Sequence, residues 1–148
     1  MTDRGLLFPS DDELLLSIRG RPIGTHPLSP LARQFGQLHE ELLGTPKYQD
    51  ESFCRRRELV LSVDVWVSER LPAPHPIATL HTETIGAVID RLAESQVLAY
   101  YLLMTLDPTD PQVHAAWYRV AELADGYTDL TTEVLHRSRR LPVLEDRH

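Results

Sequence analysis

The chain has 148 residues, 42% hydrophobic and 25% charged, with a formal net charge of −7 at neutral pH. That length suits a single domain around one core, and the acidic balance argues against nucleic-acid binding, which draws on clustered basic charge. Cys54 is the only cysteine, so no internal disulfide can form. The N-terminus lacks the layout of a signal peptide, and the longest strongly apolar run, VLAYYLLM at 97–104, is too short to span a bilayer. A cytoplasmic protein with neither a membrane nor a nucleic-acid partner is expected.

In chain order, PSDDELLLSIRG predicts a short helix with both ends signalled. Ser10 and Glu13 have capping-box spacing, and Gly20 suits the left-handed C-terminal position. Ser29 and Pro30 start a second helix that Gly44 closes, with Leu28, Leu31, Phe35, Leu38 and Leu42 along one face. A third helix is expected from Asp50 to about Leu71, with Leu59, Val60, Val63, Trp66 and Val67 inward, before LPAPHP breaks the chain. A fourth is expected from about Ile77 to Leu106. The linker DPTDP then leads into a fifth, reaching about Arg139 and bent at Gly126 if it bends at all. The expected fold class is all-α, a bundle of four long helices plus a short N-terminal one. Residues 1–28 form the short helix and loop of this single domain, 29–140 the bundle and 141–148 a tail.

Helical phase then sorts the polar residues. His39 falls inside the apolar face of the second helix, and Arg56 on the inward face of the third, with Asp64 at its margin. In the stretch HTETIGAVIDRLAE, residues 81–94, His81 lies with the apolar face, while Glu83, Asp90 and Glu94 lie opposite. Asp90 and Glu94 repel across one turn. Arg91 relieves part of this, and a cation, an arginine from another helix or a ligand is needed for the rest. Buried charge must be paired, so Arg56 is expected against Glu83, Asp90 or Asp64, with His39 and His81 nearby.

Glycine-rich phosphate loops and a nucleophile elbow are absent. The only Glu-x-x-His spacing, Glu133 with His136, faces outward, so no metal ligands are assigned and no cofactor is identified. HEELLG at 39–44 with ETIGAVIDRLAE at 83–94 resembles the paired acids that hold magnesium in MazG-like nucleotide pyrophosphohydrolases. The second acid of the first segment is missing there, because Leu43 and Gly44 stand in its place. A closer resemblance covers residues 30 to 142. LHTETIGAVIDRLA followed by HAAW, together with CRRRELVLSVDVWVSERLPAPHP, is similar to a bacterial family known as domain of unknown function 4254. It implies a small helical bacterial protein and no assigned activity.

Two functional readings follow. In the first, His39, Arg56 and Asp90 bind a small polar or anionic molecule between helices, with His81 and Glu83 as catalytic acid–base groups. In the second, the inward polar groups set helix register, and the acidic stripe with Gly86 and Ala87 forms a packing or homodimer surface.

Overall fold

The structure, a computed structural model, describes residues 7–21, 25–43 and 50–143. Its helices are α1 (Asp11–Arg19), α2 (Ser29–Leu43), α3 (Asp50–Ser68), α4 (Ile85–Thr105) and α5 (Pro111–Leu135). They pack against one another as an all-α bundle, as expected. The central element is α4, which touches each of the other four helices.

The local signals at helix ends act as read. Ser10 Oγ accepts the Glu13 N–H at 3.1 Å, and Glu13 Oε1 accepts the Ser10 N–H at 3.2 Å, so α1 starts with a reciprocal capping box. It ends at Gly20, with φ +91°. Asp110 Oδ1 accepts the Gln112 N–H at 2.8 Å and Pro111 occupies the first turn of α5. The expected closure of α2 at Gly44 lies outside the described residues.

Burial follows the helical phase closely. Phe35 and Leu38 of α2, Val63 and Val67 of α3, Ile89 and Leu92 of α4, and Tyr127 of α5 are all buried in one core. The Tyr127 hydroxyl donates to the Pro9 carbonyl at 2.7 Å, tying α5 to the segment before α1. Burial raises its pKa above the usual tyrosine value.

Three boundaries differ from expectation, the smallest being the end of α3 at Ser68 and not near Leu71. The fourth helix begins at Ile85 and not near Ile77. Thr84 caps it, its Oγ1 accepting the Ala87 N–H at 3.2 Å. The residues before it, ATLHT, are extended and favour the short parallel pairing of β1 (Thr79–Leu80) with β2 (Arg139–Arg140). His81 continues this pairing, its N–H donating to the Arg140 carbonyl at 2.8 Å. It is therefore outside the helix whose apolar face it was expected to join. At the other end, α5 runs unbroken through Gly126 but stops at Leu135, short of Arg139. Arg137 adopts φ +67°, and the N–H groups of Arg137 and Ser138 turn back to the carbonyls of Val134 and Glu133.

Two glycines permit helix crossings closer than a side chain would allow. A Cβ on Gly36 of α2 would lie 2.1 Å from the Ile18 carbonyl oxygen. One on Gly86 of α4 would lie 2.5 Å from the Val60 carbonyl oxygen and 2.8 Å from Asp64 Oδ1. Backbone cannot step aside as a flexible side chain can. Gly86→Ala and Gly36→Ala are each expected to cost about 1–3 kcal/mol, the usual penalty of overpacking, measured by urea unfolding. Wild-type stability in either variant would contradict these close crossings.

Candidate functional site

Three helices bring three of the five expected site residues together. His39 of α2 lies 2.8 Å from Asp90 Oδ1 through its Nε2, and the Arg56 Nε–H of α3 donates to Asp90 Oδ2 at 2.8 Å. His39 is 4% exposed and Asp90 7%. A carboxylate paired with a guanidinium accepts hydrogen bonds and does not donate, so the hydrogen in the first contact belongs to His39 Nε2. Each Asp90 oxygen is thereby engaged, one by each neighbouring helix.

The same arginine resolves the repulsion read in the sequence. Its Nη2 lies 3.5 Å from Glu94 Oε1, so Arg56 stands against both acids of the Asp90–Glu94 pair. Arg91, expected to serve Glu94, faces Glu83 instead, with Nη2 to Oε1 at 3.5 Å. Glu83 thus forms a separate ion pair just ahead of α4. His81 lies on the extended segment, and its Nε2 is buried without a hydrogen-bond partner. The structure brings together His39, Arg56 and Asp90 and leaves His81 and Glu83 out of that cluster.

Asp64 has the larger chemical interest. Its Oδ1 accepts the Gly86 N–H at 2.7 Å, which places a carboxylate at the positive end of α4. It is 7% exposed, and burial pushes its pKa above the ordinary 3.8 in spite of bonds from Gly86 and the Thr84 side chain that act the other way. Asp64 forms part of the wall of two depressions. One, open and about 360 Å³, lies over Arg56, Val60, Leu61 and Asp90. The other, about 450 Å³, is bounded by Val67, Leu71, Pro72, Ile85, Arg140 and Leu141.

The sequence placed Asp64 only at the margin of a face, and residues 141–148 in a tail. Neither reading could see that residues 139–143 share the wall of a depression with the end of α3. Glu40 lies 3.6 Å from Arg33, and Glu41 pairs with Arg55 at 3.3 Å. The acids of the MazG-like segments thus stand against arginines. Among the described residues, no group of three or more His, Cys, Asp or Glu is placed to hold a metal ion, and no helix is long and apolar enough to cross a membrane. The small residue Gly86, read as part of a homodimer surface, is covered by α3 of the same chain.

Removing Asp90 leaves His39 buried and Arg56 half-buried without their shared acceptor. Asp90→Ala is expected to cost about 3 kcal/mol, and a cycle with His39→Ala should show coupling, the double variant losing less than the sum of the singles. Strict additivity in urea unfolding would deny the contact. Asp64 predicts a pH effect. Because its folded pKa is raised, its contribution is fully present below the unfolded value and is lost as pH rises through the folded one. Asp64→Asn keeps an oxygen for the Gly86 N–H. Wild type should therefore lose stability relative to this variant as pH climbs from below 3.8, and a difference constant with pH would refute the shift.

No curated protein and no solved structure matches the chain. A family model does match, over residues 32–143. That span contains α3, α4, α5, both strands and all but the start of α2, and with them His39, Arg56, Asp64 and Asp90. This helical chain belongs to the family described as "Protein of unknown function (DUF4254)".

Proposed function

We propose that the chain is a small-molecule-binding bundle whose ligand lies between the end of α3, the first turn of α4 and residues 139–143. The observation that carries this reading is Asp64, a buried carboxylate with a raised pKa in the wall of a largely apolar depression of about 450 Å³. Apolar pockets with a few convergent polar groups and a perturbed titratable residue are where small ligands bind.

The lining specifies the ligand's chemistry. Val67, Leu71, Pro72, Ile85 and Leu141 suit a compact hydrophobic or ring body. Arg140 has no carboxylate partner among the described residues and lies on the same wall, where it suits an anionic group. Asp64 then accepts a hydroxyl or amine hydrogen, and its raised pKa brings proton transfer closer to neutral pH. His39, Arg56 and Asp90 act one layer away. They hold α3 against α4, and so fix Asp64 relative to the opposite wall.

The test is a thermal-shift screen of small organic carboxylates and phosphate monoesters. A ligand at a hundred times its Kd adds about 2.7 kcal/mol to the folded state, enough to raise Tm measurably. Ser68→Trp, which fills the rim from an exposed position, and Asp64→Asn should each abolish the shift. Hits that survive both substitutions would sink this reading.

A further inference from the structure

A third depression, of about 460 Å³, opens between the end of α1, the end of α2 and the second half of α4. From Ile85, on the first wall, to Tyr100 on this one is 15 residues along α4, or about 22 Å at the helical rise. Its wall includes Arg19, Arg21, Gln96, Tyr100, Tyr101 and Met104.

Gln96 is the anomaly. It is 3% exposed, and its Oε1 is buried without a hydrogen-bond partner. A buried amide oxygen ordinarily has a donor, because leaving it bare forfeits its bonds to water. Nothing in the packing of α4 requires a polar side chain here; its neighbours Ala93, Val97 and Ala99 are all buried and apolar. A polar group held inside without an internal partner points to a partner from outside.

The surrounding groups define that partner. Tyr100 is held between two contacts, with Trp117 edge-on at 5.0 Å between ring centroids and the Arg19 guanidinium 4.4 Å from its ring centre. Tyr101 and Met104 are 49% and 78% exposed, giving an unfilled apolar and aromatic surface. Neither Arg19 nor Arg21 forms an ion pair among the described residues, although the chain carries a net charge of −7. Glu40, the acid on this wall, faces Arg33 at 3.6 Å.

We propose that this depression is a second ligand site, separate from that around Asp64, which takes a planar organic anion with an N–H or O–H donor. The ring lies against Tyr101 and Met104, the anionic group meets Arg19 and Arg21, and the donor satisfies the Gln96 amide oxygen. Aromatic amino-carboxylates and nucleoside monophosphates share this chemistry.

Titration of the isotope-labelled full chain by NMR separates the outcomes, with 4-aminobenzoate, adenosine monophosphate, benzoate and inorganic phosphate as probes. Saturable shifts of the Gln96 side-chain amide and the Tyr101 backbone are expected with one of the first two, which identifies the source. Benzoate, which lacks the donor, and phosphate, which lacks the ring, should bind at least tenfold more weakly. Gln96→Met should raise the Kd at least tenfold while leaving Tm unchanged or higher, since no internal hydrogen bond is lost. Arg21→Gln should weaken binding too, whereas Ser68→Trp at the first site should not. Three results overturn the proposal: no saturable shift at Gln96 with either ring compound, equal affinity for benzoate and 4-aminobenzoate, or a lowered Tm in Gln96→Met. The last would mean that the oxygen is already satisfied inside the fold.

Discussion

Everything in this bundle turns on Asp90, a carboxylate inside the protein that is shared by two other helices. His39 reaches it from α2 and Arg56 from α3, each at 2.8 Å. A buried ion pair of this kind adds little net stability, because desolvation offsets most of the attraction. Its effect is on register. Sliding α3 by one turn, about 5.4 Å, would carry Arg56 away from both Asp90 and Glu94. Apolar packing alone tolerates such slips more readily, since one leucine replaces another.

A second constraint lies one turn earlier on α4. Gly86 lets the backbone of α4 approach the Val60 carbonyl, and Asp64 caps the first-turn N–H of Gly86 at 2.7 Å. The two constraints support each other. The Asp90 node sets the register of α3 on α4, and the glycine crossing sets their separation. Asp64 is held so firmly by this arrangement that its carboxylate stays out of water, which raises its pKa. A residue placed for capping thereby becomes a buried acid with a raised pKa.

The two ends of α4 consequently differ. Near its start, polar groups are densely paired, and the depression beside them holds one perturbed acid. Toward its end the helix is apolar on most sides, and Gln96 is the exception. Both proposed sites depend on the central helix being surrounded by four others, with gaps where short elements end. One gap lies where α3 gives way to the extended residues before α4, the other where α1 and α2 terminate.

The division between sequence and structure follows the range of the forces involved. Capping at Ser10 and the apolar stripes of α2 and α3 are local, so helix identity and most boundaries were legible from residue spacing. So was the requirement that Arg56 and His39, facing inward, find an acid. Which acid was not legible. Asp90, Glu94, Glu83 and Asp64 were all within plausible reach, and only the crossing of α3 on α4 selected the first two. His81 was misplaced because helical phase was carried past Thr84, while the pairing that extends this segment comes from residues almost sixty positions later. Gln96 gave no signal and Asp64 stood out only as one possible partner of Arg56, since one acid at the margin of a face and one glutamine in a helix are ordinary as sequence. Burial makes them unusual, and burial belongs to the assembled helices and not to any one of them.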